Sequence, residues 1–252
     1  MAYENYEIIC NKNYNLDVKD WNFKSNSEYT KVLEHVNNQQ ANLYLKQIIS
    51  EFEDIYINNK FTLIDICNKN DLYGKTIKND FVNFTSCSPS NLRYIYQSFK
   101  ILSYINSLGL NNIDFVEIGG GYGGLCFFIN KLAGIFNINI KSYTIFDLLY
   151  PSLLTKKYLL NLGIENTNHY QLNNFQNISK NSFLISSYAF SELPENIRIE
   201  YQEKIINPYT IHGFIAWNGV SVYNFKKNTN LKIIDNFYTQ IFNNKSCPYV
   251  FF

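Results

Sequence analysis

Residues 115–124 read FVEIGGGYGG, and no other ten residues of the chain limit its fold as sharply. Phe115 to Ile118 form a short apolar run of the kind that fills a buried strand, and the glycines at 119, 120, 121, 123 and 124 then leave the backbone almost bare of side chains. LCFFINKL follows at once and reads as a helix. Strand, glycine turn and helix in immediate succession open a βαβ unit, in which the turn lies at the carboxyl end of the strand and the N–H groups of the helix start can face a ligand. Glu117, two residues before the first glycine, adds a carboxylate that can accept hydrogen bonds from a ligand's ammonium, directly or through water.

From residue 113 onward, strands and helices alternate, which predicts a Rossmann-like, mostly parallel sheet with helices on both faces. After the first strand, IDFVEI, come INIKSYTIF ending at Asp147, a short strand near HYQL, then SFLISSYAF and GFIAWNGV. Helices are expected from Pro151 to Gly163 and from Pro194 to Ile206. LKIIDNFYTQIF reads as a helix and CPYVFF as a terminal strand, so one strand is expected beyond GFIAWNGV. Upstream, SPSNLRYIYQSFKILSYINSLG carries both helix-end signals, a Ser-Pro start and a glycine stop at Gly109. The preceding segment, 1–87, is expected to be a mainly helical extension or lid, with one helical stretch near 28–57, and 88–252 to be the Rossmann-like domain.

Composition removes several functions from consideration. The chain has 252 residues, 46% of them hydrophobic and 17% charged, enough for a substantial core. Its formal charge of +1 provides no field for a polyphosphate backbone, and the nearest basic cluster is the pair Lys226 and Lys227, so no nucleic-acid partner is expected. Five scattered cysteines without C-x-x-C spacing fit reduced thiols in a cytoplasmic setting, and no His, Cys, Asp and Glu cluster reads as a metal site. The N-terminal segment MAYENYEIIC does not read as a secretory leader, and no long apolar run suggests a membrane span. Asn83 and Asn177 match glycosylation sequons, as chance allows in so asparagine-rich a chain.

Ligands of parallel sheets sit at the carboxyl ends of the strands, which ranks the candidate residues. Gly119, Gly120, Gly121 and Gly123 occupy the first such end. Asp147 closes the second strand, where two acceptor oxygens can hold adjacent ribose hydroxyls, although an acid ahead of the Pro151 helix also fits a plain helix-start role. SSYAFSELP crowds Ser186, Ser187, Tyr188, Ser191 and Glu192 at another strand end, and Glu192 is the first choice for a base. Trp217 and Asn218 lie past GFIA, placed for stacking on a sugar and for binding hydroxyls, while core packing is the plainer reading of the indole. Arg93 can pair with a ligand carboxylate or form a surface salt bridge. His35, His169 and His212 fall at positions that favour structural roles.

Taken alone, the loop is ambiguous, because Gly119-x-Gly121-x-x-Gly124 also satisfies the dinucleotide fingerprint. Four segments together, SPSNLRYIYQ, FVEIGGGYGGLCFFINKL, YTIFDLLYPSLLTKKYL and SSYAFSELP, resemble the sugar O-methyltransferase family, a branch of the class I S-adenosylmethionine-dependent enzymes. The resemblance spans about 88–219 and implies a Rossmann-like sheet, S-adenosylmethionine as cofactor and a sugar or nucleotide-sugar acceptor. It further implies that Glu117, Gly119, Gly121 and Gly123 surround the cofactor's methionine and sugar portions and that Asp147 holds its ribose. At the C-terminal end the sequence departs from the resemblance, since class I enzymes close their sheet with an antiparallel pair and only CPYVFF reads as a strand there. A nicotinamide-dependent oxidoreductase and a catalytically inactive interaction module stay open as alternatives at this point.

Overall fold

The computed structural model describes residues 2–176, 178–218, 232–234 and 247–252, with 232–234 as backbone only. Lys226, Lys227, Asn177 and most of the helix expected at LKIIDNFYTQIF lie outside the described residues. In chain order the elements begin α1 (Ala2–Tyr14), α2 (Ser27–Thr30), α3 (Asn38–Glu51), α4 (Glu53–Asn70), β1 (Asn79–Asp80), β2 (Ser86–Cys87) and α5 (Pro89–Ser107). They continue β3 (Asn112–Ile118), α6 (Gly124–Leu132), β4 (Asn139–Phe146), α7 (Leu149–Asn161), β5 (Thr167–Tyr170), β6 (Ser182–Ser187), α8 (Ala189–Glu192) and α9 (Glu195–Tyr201). After a π turn over Gln202–Ile206 come α10 (Asn207–Tyr209), β7 (Thr210–Ala216), β8 (Lys232–Ile234) and β9 (Tyr249–Phe251).

These elements group into two compact units that interleave along the chain, one comprising 1–111, 121–139 and 149–165, the other 112–120, 140–148 and 166–252. The first is helical. Its longest helix, α5, opens as its sequence indicates: the Ser88 side chain accepts from the Ser90 N–H, Pro89 takes the first turn, and Gly109 leaves with φ 69°. Here α1 packs along α7, and Lys157 secures the chain after α1 by donating to the carbonyls of Tyr14 and Leu16 at 2.8 and 2.7 Å. The single helical stretch expected near 28–57 is three helices. Glu34 takes a left-handed φ of 58°, and Asn37 starts α3 afresh with a capping box to Gln40, so local backbone chemistry overrides the apolar spacing.

The second unit is built on a seven-stranded sheet of order β5-β4-β3-β6-β7-β9-β8. β4 with β5, β3 with β6 and β6 with β7 are parallel, while β9 runs antiparallel to both β7 and β8. From β3 the chain moves outward to β4 and β5, then returns to β6 on the other flank, so strand order reverses between β3 and β6. Val116, Ile118, Phe146, Leu184, Ile215 and Val250 from the strands join Phe190, Ile205 and Trp217 in one core. Each such side chain contributes roughly 1.5–3 kcal/mol on leaving water. The sequence predicts one strand after β7; the described residues include two. Residues 232–234 form β8 where a helix was expected, because a three-residue segment rich in β-branched isoleucine can be claimed by a neighbouring strand edge regardless of its helical spacing. The expected departure from a closing antiparallel pair is therefore absent.

Candidate functional site

The carboxyl ends of β3, β4, β6 and β7 bring most of the candidates into one unit. At β3, Glu117 is 1% exposed, and its Oε2 accepts from the Tyr143 hydroxyl at 2.9 Å. Burial pushes the Glu117 carboxyl up to about 8; the Tyr143 hydrogen bond opposes that shift and the nearby Asp147 charge adds to it. Tyr143, on the adjacent strand, escaped sequence reasoning because nothing local marks a buried β-strand tyrosine as the partner of an acid one strand away.

Gly119 leaves β3 with φ 76°, a conformation that L side chains rarely adopt, and its N–H donates to the Phe146 carbonyl at 2.8 Å, tying the ends of β3 and β4. A side chain on Gly119 would meet the Ala189 Cβ at 2.1 Å, and one on Gly120 would meet the Ile145 Cγ2 at 2.5 Å. Gly121 and Gly123 belong to the helical unit, where Leu33 and Leu159 take the equivalent space at 2.7 and 2.9 Å. The glycines are thus required by close protein packing before any ligand is considered. Asp147 is half-buried just past β4, its Oδ1 accepting from the Leu148 N–H at 2.8 Å.

β6 ends in a strained turn. Tyr188 has φ 70° and ψ −32°, unusual for an aromatic residue and of the kind that costs about 1–3 kcal/mol. Hydrogen bonds hold it there: its N–H donates to the Ala216 carbonyl at 2.9 Å, and its own carbonyl accepts from the Ser191 hydroxyl at 2.6 Å. The Ser191 Oγ in turn accepts from the Asn218 N–H at 3.1 Å, and the Asn218 amide donates to Glu192 Oε1. Ser187, half-buried, stands opposite Ala216 in register, and Ser186 is buried, its hydroxyl donating to the Ile118 carbonyl at 2.8 Å. Tyr188, Ser191, Glu192 and Asn218 therefore form one connected polar chain across the ends of β6 and β7. Sequence proximity joins only the first three; Asn218 comes in through the sheet.

Two expected contacts look different in three dimensions. Trp217 is fully buried, its indole packed edge-on against Phe190 at 6.0 Å between centroids in the sheet core, so it offers no open face to a sugar. Arg93 is 4% exposed within the helical unit, its guanidinium 5.3 Å from the Tyr94 ring, which replaces the surface salt bridge by a buried stack. His169 and His212 both sit inside strands, the first near the Thr167 hydroxyl at 3.0 Å and the second near the Phe252 carbonyl at 3.3 Å. Among the described residues there is no cluster able to hold a metal ion, and no helix is long and apolar enough to cross a membrane.

No family model and no curated protein matches this sequence. Solved structures with partial likeness include a SAM-dependent methyltransferase from Aquifex aeolicus, at 15% identity over 63% of this chain and 89% of that one with a TM-score of 0.44. An S-adenosylmethionine-dependent methyltransferase from Clostridium acetobutylicum is similar at 13% identity over 55% of each chain, TM-score 0.39. PKMT2 from Rickettsia typhi, in complex with AdoHcy, is similar at 19% identity over 50% of this chain and 25% of its own, TM-score 0.37. The chain thus spans about half the length of the Clostridium protein and a quarter of the Rickettsia one. At such scores these likenesses bear neither on chemistry nor on substrate.

Proposed function

We propose that this chain is an S-adenosylmethionine-dependent methyltransferase that transfers a methyl group to a hydroxyl of a sugar, presented as a nucleotide sugar or a glycan end. The observation that carries the reading is the sheet order. A dinucleotide-binding sheet continues past its fifth strand with another parallel strand, whereas here β9 lies antiparallel beside β7 and pairs onward with β8. That is the antiparallel closure implied by the resemblance to class I methyltransferases, and it weighs against the nicotinamide alternative.

The residues at the strand ends fit such a cofactor in kind. Glu117 supplies a buried acceptor beside the switch point, suited to a cationic ammonium, and Asp147 supplies two oxygens at the next strand end, suited to a ribose diol. When bound, the cofactor supplies an electrophilic methyl carbon. The chain's own task is then to align an acceptor oxygen in line with that carbon and to receive its proton. Glu192 is our choice for the proton acceptor, with Asn218 fixing one of its oxygens and Ser187 and Tyr188 lining the same strand ends. The sugar acceptor rests on the resemblance of SSYAFSELP and its neighbours. We leave Trp217 and Arg93 out of the site because both are buried in packing.

The test is calorimetry of the purified chain with S-adenosylhomocysteine and, separately, NADH and NADPH, followed by mass spectrometry of nucleotide sugars incubated with S-adenosylmethionine. Binding of S-adenosylhomocysteine alone and a gain of one methyl by a sugar are expected. Nucleotide binding with the opposite preference sinks the reading, and tight cofactor binding with no methylated product from any acceptor favours the inactive module. Asp147→Ala should weaken cofactor binding about tenfold. Glu192→Gln should lower kcat about a hundredfold while cofactor affinity holds.

A further inference from the structure

The loop GGGYGG, residues 119–124, offers the rest of the protein a single side chain, that of Tyr122. With five glycines in six residues the segment is costly to order, since glycine gives up more backbone freedom than any other residue. Anything that fixes the loop through a side chain must act on Tyr122, which is 1% exposed in the helical unit. Its ring meets Tyr158 edge-on at 5.1 Å and Phe23 at 5.6 Å between centroids, and the Lys24 ammonium lies 4.4 Å from its centre. Its hydroxyl donates to Glu34 Oε1 at 2.9 Å and accepts from the Asn70 amide at 3.2 Å.

Glu34 is held in the left-handed region, φ 58°, by contacts at both of its oxygens, the second accepting from the Ser88 hydroxyl at 2.9 Å. Ser88 also starts α5, and its N–H donates to the Asp71 carboxylate at 2.8 Å, so Glu34 is anchored to a rigid element. One residue earlier, the Leu33 side chain fills the space that a Gly121 side chain would need, 2.7 Å from an ideal Cβ. The turn at 33–34 therefore meets the loop twice, on the Gly121 backbone and on the Tyr122 hydroxyl. Beneath it, the buried Lys24 ammonium donates to the Asn70 carbonyl and to the Tyr158 hydroxyl, and the charges of Glu34 and Asp71 lie close enough to stabilise it.

We infer that Glu34 is a positioning residue for the glycine loop: by holding the Tyr122 hydroxyl it fixes Gly121–Gly124 before the cofactor arrives. The inference rests on the function proposed above. A loop ordered in advance loses less freedom on binding, and the gain is read as affinity. A network that only stabilised the fold would lower the melting temperature of its variants and leave the dissociation constant of the folded protein unchanged.

The experiment is calorimetry with S-adenosylhomocysteine on the full chain as wild type, Tyr122→Phe, Glu34→Ala, Glu34→Gln and the double variant Tyr122→Phe with Glu34→Ala. Each of the first two single variants should weaken binding about 5- to 20-fold. The double variant should be no weaker than the worse single one within about twofold, because one bond is lost in all three. Glu34→Gln should bind within about threefold of wild type, since its carbonyl still accepts from Tyr122 and its amide can donate to the Ser88 hydroxyl. In turnover assays, KM for S-adenosylmethionine should rise while kcat holds. Tyr122→Phe, which loses one oxygen atom, carries the test if Glu34→Ala fails to fold. A folded Tyr122→Phe protein with wild-type affinity overturns the inference and leaves the methyltransferase reading standing; a wild-type protein that binds no cofactor overturns both.

Discussion

At the scale of a residue, Glu117 is the most consequential side chain of the sheet unit. A carboxyl at 1% exposure with one neutral hydrogen-bond donor is poorly solvated as an anion, and the neighbouring Asp147 charge makes ionisation harder still. Its folded pKa lies near 8 against an ordinary value of 4.5, so between these limits the native state holds a proton that the unfolded chain has released. The contribution is fully present below about 4.5 and is lost as pH rises through about 8. Glu117→Gln keeps an acceptor for Tyr143 without the titration, so it should flatten the fall of melting temperature over that window and melt about 3 °C or more above wild type near pH 8. Thermal denaturation of both proteins across the pH range checks this, and parallel curves would remove the assignment. A cationic ligand at Glu117 should favour the ionised form, so its affinity should tighten as pH rises. Neither the burial nor the Tyr143 partner is legible in FVEI, because both depend on the strand alongside.

At the scale of an element, capping chemistry decides boundaries that hydrophobic spacing blurs. Val32, Val36, Leu43 and Ile48 suggest one helix, but Asn37 accepts from the Gln40 N–H at 2.9 Å and Gln40 returns a bond to the Asn37 N–H at 3.0 Å, so α3 begins at Asn38. Asn37→Ala should cost about 1 kcal/mol in urea denaturation, while cofactor binding by the folded protein stays as it is. A loss near zero would mean that packing, not the cap, sets the start of α3. The turn after β6 carries the same lesson. SFLISSYAF reads as one strand through Phe190, yet pairing with β7 ends at Ser187 and Tyr188 turns left-handed, because the Ala216 carbonyl and the Ser191 hydroxyl both engage its backbone. That turn re-aims Ser191 and Glu192 toward Asn218, and it is the part of the candidate site that alternation alone cannot reveal.

At the scale of the whole molecule, all five cysteines are buried. Buried thiols react slowly, so a thiol reagent should label none of them in the native protein and all five on unfolding, with kinetics that follow loss of structure. Rapid labelling of a thiol under native conditions would show local opening at that site, and slower labelling with S-adenosylhomocysteine present would link that opening to the ligand. By itself the sequence determined the βαβ start, the helix from Ser88 to Gly109, the strand identities through β7 and the carboxylates at the ends of β3 and β4. These follow from local physics: apolar runs, glycine conformations and helix ends are set by residues within a few positions of one another. Tertiary structure alone decided that β9 inserts antiparallel between β7 and β8, that Trp217 and Arg93 are buried, and that Ser88 and Tyr122 converge on Glu34. The strand pairing and the Glu34 contacts join residues far apart in the chain, brought together by burial and hydrogen bonding that no local pattern encodes.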